Sequence, residues 1–183
     1  LEESYGYKVE KEVMDKDGVS AAAMCAEMTL YWASKGKSIL EHLDDMWNEY
    51  GFFEDRAISQ YFPGSAGKEV MAGIMSRLRS EGLKTLGGKK VLEIRDIQES
   101  VSYNPENPSA KTEIALPKSN VLQFVLEGGT IVSARPSGTE PKIKFYINSR
   151  TEVTSNLEEA KKESAESCDS ISKEIKNLLE NAK

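Results

Sequence analysis

Residues 134–142 read ARPSGTEPK. This short stretch sets the cations Arg135 and Lys142 and the hydroxyls of Ser137 and Thr139 around Gly138, between Pro136 and Pro141. Such a group suits an anion. The planar fork of Arg135 matches the oxygens of a phosphate, and the two hydroxyls add donors. Gly138 permits a left-handed backbone and the close approach of a ligand to the main chain. Successive N–H groups in such a turn form an anion-binding nest. Glu140 and Lys142 stand where they can line the same site, although Lys142 serves equally well as an outward strand residue. On these residues alone a second reading stands beside the phosphate cradle: a hairpin turn whose hydroxyls cap its own backbone.

Other chemistries find less support. The chain of 183 residues holds one histidine, His42, and two cysteines, Cys25 and Cys168. Cys/His zinc sites are therefore excluded, and a Ser/His/Asp triad would have to use His42, which sits in an ordinary helical pattern. Asp15-Lys16-Asp17 lacks the third acidic position of a calcium loop. The stretch from Pro63 to Lys68 has a glycine and a lysine as phosphate-binding loops do. Its spacing differs, and Glu69 follows Lys68 where a hydroxyl residue is needed, so it reads as a helix start. Both cysteines lie inside helical patterns and are expected as buried free thiols in a reducing cytoplasm. A net charge of -6 argues against a general nucleic-acid binder. No run of 18 apolar residues offers a membrane span. The chain opens at Leu1 without a methionine or a secretory signal and is expected to be a piece of a longer polypeptide.

The elements that would position the loop follow from periodicity. Residues 19–33, VSAAAMCAEMTLYWA, are good helix formers and apolar almost all round. Asp17 is the expected N-cap and Gly36 the expected residue beyond the C-terminus. Ser38 and Glu41 form a capping box before a second helix that Gly51 ends. Residues 51–65 read as a linker. A third helix is expected over 66–80, then a strand over 91–97 and a loop over 103–110. Strands over 121–126 and 130–134 flank Gly128-Gly129, a hairpin turn. After the ARPSGTEPK loop, Ile143, Phe145 and Ile147 alternate with Lys142, Lys144 and Tyr146 as a half-buried strand. A last helix starts near Ser155, where Ser155 and Glu158 form a further capping box. The fold class is α+β: a small antiparallel sheet with helices on one side. Residues 66–183 are its domain, and residues 1–50 are a mainly helical remnant with more apolar surface than two helices bury.

RPSGTEPKIKFY closely resembles the C-terminal phosphate-binding loop of the α-D-phosphohexomutases, the phosphoglucomutase and phosphomannomutase family. The flanking VLQFVLEGGTIVSARPSGTEPKIKFYI is similar to that family's last domain well beyond the loop. At the other end, LEESYGY resembles the sugar-recognition loop of the family's third domain. Glu2 and Ser4 match the residues that hold sugar hydroxyls, with Leu1 where glycine is usual. Asp15-Lys16-Asp17-Gly18 resembles the Glu-Lys-Asp-Gly stretch of phosphoglucomutase-type members, which gives Lys16 the role of general acid/base. The resemblance implies a four-domain enzyme in which a phosphoserine and Mg²⁺ act from the first two domains. Its third domain holds the sugar hydroxyls, and the fourth holds the phosphate that is not transferred. Arg135, Ser137, Gly138, Thr139 and Lys142 are then the substrate phosphate-binding residues. This chain has no Ser-His pair and no triple-Asp metal loop. It is expected to hold the end of domain three, over residues 1–50, and all of domain four. It is expected to bind a hexose phosphate and to depend on the family's N-terminal domains for turnover.

Overall fold

The computed structural model describes residues 8–9, 12, 15–64 and 66–182. Two compact units divide at Tyr50 and Gly51. Glu2 and Ser4 lie outside the described residues.

The first unit is a pair of helices, each set by its cap. Helix α1 spans Gly18–Ser34. The Asp17 carboxylate accepts from the N–H groups of Val19 at 2.9 Å and Ser20 at 3.2 Å, satisfying two of the donors that open a helix. Helix α2 spans Ile39–Tyr50. Here the capping box is complete: Ser38 N–H donates to Glu41 Oε2 at 2.7 Å, and Glu41 N–H donates to Ser38 Oγ at 3.2 Å. Gly36 takes φ 75° between the two helices. The rings of Trp32 and His42 stack with centroids 3.5 Å apart, which gives the sole histidine a packing partner across the helix pair. Neither helix buries a residue. Cys25, expected to be buried, is exposed for that reason.

The second unit is α+β. In chain order it runs β1 Phe52–Tyr61, α3 Gly67–Glu81, β2 Thr85–Leu86, β3 Lys89–Asp96, β4 Val101–Asn104, β5 Asn107–Glu113, β6 Leu122–Leu126, β7 Ile131–Pro136, β8 Lys142–Thr151 and α4 Leu157–Glu180. All the pairings are antiparallel, in the order β1-β8-β7-β6-β3-β4-β5, with β2 against β3. The sheet is larger than expected, because two segments read as irregular are strands.

Residues 51–65 are not a linker: β1 pairs with β8 along its whole length, from Phe52 opposite Thr151 to Tyr61 opposite Lys142. Its periodicity is hidden because the residues facing the helices include Glu54 and Arg56 rather than apolar ones. They are tolerated there because they are partnered. Ser164 Oγ donates to Glu54 at 2.8 Å, Arg56 Nε donates to Glu54 at 2.7 Å, and the other end of the guanidinium meets Asp169. Residues 103–110 are likewise not a loop but the turn and flanks of the β4–β5 hairpin, where Asn104 Oδ1 accepts from Glu106 N–H at 2.8 Å. Pro108 is accommodated because β5 is an exposed edge strand.

The core lies on one face of the sheet. Ile94, Leu122, Phe124, Val132, Ile143, Phe145 and Ile147 meet Met71, Ile74, Met75 and Leu78 of α3 and Cys168, Ile171, Ile175 and Leu179 of α4. Each large side chain so buried contributes about 1.5–3 kcal/mol by removal from water. Helix α4 starts one residue later than expected. Asn156 is the cap, accepting from Glu159 N–H at 2.9 Å, while Ser155 Oγ bonds the Glu159 carboxylate. The 127–129 turn joins β6 to β7 with positive φ at both Gly128 and Gly129.

Candidate functional site

Register fixes what the loop between β7 and β8 presents. Ala134 pairs with Phe145 and Pro136 with Ile143, on the face that carries the core. Arg135 and its cross-strand partner Lys144 therefore share the opposite face. Lys142, Lys144 and Tyr146 follow on that face at the two-residue spacing of a strand. Arg135, Pro136, Ser137, Gly138, Thr139, Glu140, Lys142, Lys144 and Tyr146 line one pocket of about 290 Å³.

The loop is held at three points. Ser137 N–H donates to the Lys142 carbonyl, Lys142 N–H to the Glu140 carbonyl, and Phe62 N–H to the Pro141 carbonyl, each at 2.8 Å. The last of these ties the loop to the chain leaving β1. Ser137 Oγ accepts from the N–H groups of Thr139 at 3.4 Å and Glu140 at 3.3 Å. Those distances lie beyond the usual range, so two main-chain donors converge weakly on one oxygen. This is the self-capped turn, and it is also the geometry of a small nest whose donors a stronger acceptor can take.

Gly138 does not use the left-handed backbone that its lack of a side chain permits. A Cβ placed on Gly138 would meet nothing within 4 Å. The turn itself therefore has no steric need for glycine; the open space beside the main chain is what a side chain would fill.

The charges are unequally committed. Among the described residues, Arg135 makes no ion pair and is exposed. Lys142 Nζ lies 2.8 Å from Glu140 Oε2. Hydrogen bonding and charge from Lys142, with the charge of Lys144 behind it, hold the Glu140 carboxyl below the ordinary carboxylate range. Lys144 Nζ sits 5.7 Å from the centre of the Tyr146 ring.

The structure thus brings together Arg135, Ser137, Gly138, Thr139 and Lys142. Lys16 lies in the other unit, exposed on the turn into α1, with its N–H donating to Asp15 Oδ1 at 2.7 Å. Lys144 and Tyr146 are pocket residues that sequence reading placed only as outward strand positions. The signal was present in the alternation with Ile143, Phe145 and Ile147, but the partner of Lys144 needed the β7–β8 register.

Residues 77–167, which include the whole loop and both strands that hold it, match the model of the phosphoglucomutase/phosphomannomutase C-terminal domain. These residues belong to that domain family. Phosphoglucomutases are among the curated proteins similar to this chain. The phosphoglucomutase of Staphylococcus haemolyticus (strain JCSC1435) is 32% identical over 147 residues, covering 80% of this chain and 26% of the relative. That of Staphylococcus aureus (strain USA300) is 35% identical over 152 residues, covering 81% and 26%. The chain thus spans about a quarter of the length of these phosphoglucomutases. A crystal structure of the exocytosis-sensitive phosphoprotein pp63/parafusin, a phosphoglucomutase from Paramecium in its open form, aligns with a TM-score of 0.53 and 17% identity. It covers 98% of this chain and 29% of that one. At that identity the likeness bears on the fold alone, an open antiparallel sheet with helices.

Proposed function

We propose that this chain is the C-terminal portion of a hexose-phosphate mutase of the phosphoglucomutase type, and that the 135–144 pocket holds the substrate phosphate that is not being transferred. The observation that carries the reading is the convergence of Arg135, the Ser137 and Thr139 hydroxyls, two loop N–H groups and Lys144 on one pocket beside an open Gly138. The relatives described above, phosphoglucomutases of which this chain covers about a quarter, support the choice of substrate class.

The physical role follows from that placement. A phosphate far from the reacting bond cannot be transferred in the same half-reaction, so its binding energy goes into orientation. Arg135 supplies a charge-assisted fork. The loop N–H groups and hydroxyls fix the phosphate oxygens without moving, because three main-chain hydrogen bonds already set the loop. Phosphoryl transfer depends mostly on such positioning and on neutralised charge.

The remaining roles are assigned in the same proposal. Residues 1–50 are the end of the sugar-binding third domain, with Glu2 and Ser4 on sugar hydroxyls and Lys16 as general acid/base. The phosphoserine and Mg²⁺ belong to N-terminal domains of the same polypeptide. Among the described residues no three His, Cys, Asp or Glu side chains gather to hold a metal, and Asp17 is committed to capping α1. The protein acts in the cytoplasm, and no helix among the described residues is long and apolar enough to cross a membrane. Mannose or pentose phosphates as substrates, or a free-standing sugar-phosphate-binding module, are the competing assignments.

A coupled assay with glucose 1-phosphate, an activating bisphosphate and Mg²⁺ tests the division of labour. The 183-residue chain should show no turnover. A longer polypeptide carrying the N-terminal domains should turn over glucose 1-phosphate in preference to mannose 1-phosphate. Turnover by the 183-residue chain contradicts the proposal.

A further inference from the structure

Among the described residues, Glu140 is the carboxylate that lines the pocket together with the cations Arg135, Lys142 and Lys144. It does not point away from them: its Oε2 lies 2.8 Å from Lys142 Nζ, and the Lys144 charge also acts on it. Glu140 and Lys142 flank Pro141, whose carbonyl is pinned to Phe62 N–H. The ring fixes φ between them, so the pair is set by a stiff backbone. The Lys142 side chain is 28% exposed and that of Glu140 is 58% exposed. The lysine is thus the held partner, and the carboxylate is the one free to swing into solvent.

We propose that Glu140 is an internal counter-ion of this pocket: its carboxylate occupies Lys142 in the ligand-free chain, and an incoming phosphate must displace it. The inference rests on the reading of the pocket as a phosphate site. Physically, Glu140 stands in for the anion. It offsets positive charge in the pocket through its pair with Lys142, and it weakens binding by competing for Lys142 and by repelling the phosphate. An exposed ion pair is weak, so the competition tunes affinity without closing the site. A site that must release a phosphate after each turnover gains from such a resident competitor.

The test is an amide-shift titration of the 183-residue chain with inorganic phosphate, followed at the loop residues. Glu140→Gln should tighten phosphate binding about two- to tenfold. Glu152→Gln removes an equal charge from the exposed Arg150–Glu152 pair and should leave the affinity unchanged. Lys142→Met should weaken binding more in the Glu140→Gln background than in the wild type, because only there is Lys142 unclaimed. Unchanged or weaker binding by Glu140→Gln overturns the inference, as does equal tightening by Glu152→Gln, which would mark a bulk charge effect. If the wild-type loop takes no phosphate, the reading of the pocket fails and the inference with it. If it does, only the role of Glu140 is at stake.

Discussion

Replacing Arg135 by alanine is the sharpest single perturbation of the proposed site. The side chain is exposed on the outer face of β7, opposite Lys144, and is engaged by no carboxylate among the described residues. Its removal should therefore cost the fold almost nothing. Surface substitutions of this kind stay within about 0.5 kcal/mol, and the melting temperature should move by no more than a degree or two. The effect should fall on binding. A charge-assisted hydrogen bond contributes about 1.5–3 kcal/mol. The Arg135 fork offers two, but an open, solvated pocket lowers their worth, so a loss of about 2 kcal/mol is expected, some thirtyfold in Kd. Arg135→Lys keeps the charge and loses the fork, and should recover only part of that. Glucose 6-phosphate titrated into the wild type and both variants, with unfolding curves as the folding control, measures all of this. Wild-type affinity in Arg135→Ala would refute the assignment. A large drop in stability would refute the claim that Arg135 has no structural duty.

Further outcomes follow from the fold. Gly87 has φ +60°, and an added Cβ would lie 2.4 Å from Ile171 Cγ1 and 2.8 Å from Ile171 N. Gly87→Ala should destabilise the sheet unit by about 2–4 kcal/mol through overpacking and left-handed strain. Gly88→Ala, with φ +79° and nothing within 4 Å, should cost only about 1–2 kcal/mol; equal losses in denaturant melts would remove the steric part of that account. The Asp17 carboxyl is held below its ordinary value, first by Ser20 and then by the Val19 and Ser20 N–H groups. Its cap on α1 is fully present above the unfolded carboxylate value and is lost as pH falls through the lowered one. Helicity near Gly18 should fray in that acidic window in the wild type, and Asp17→Ala should abolish this dependence. Cys168 is buried, and burial, reinforced by the Glu54 charge, raises its thiol pKa. A thiol reagent at neutral pH should label exposed Cys25 in the native chain and Cys168 only on unfolding. Comparable labelling of both would contradict the packing of α4.

Local chemistry was legible where the sequence carried its own partner. The Asp17 cap and the Ser38–Glu41 box are both short-range, and both form. The alternation of Ile143, Phe145 and Ile147 gave β8, and with it the inward face of the strand. What escaped depended on distant partners. Strand β1 looks like a polar connector until Ser164 and Asp169 of α4 are placed against Glu54 and Arg56. The hairpin at 103–110 was hidden by Pro105, which falls in its turn, and by Pro108, which an edge strand tolerates. At the loop, residue types suggested the anion chemistry, but not that Gly138 would lack positive φ, nor that Lys144 would stand across from Arg135. Those facts belong to backbone geometry and cross-strand register.

The central claim is that the 135–144 pocket takes the phosphate of a sugar phosphate. The most direct measurement is an amide-shift map of the 183-residue chain titrated in parallel with glucose 6-phosphate and with glucose. Saturable shifts confined to Ser137–Lys144 with the phosphate ester, and none there with glucose, are the predicted result. Shifts elsewhere, or the same response to both sugars, would contradict it.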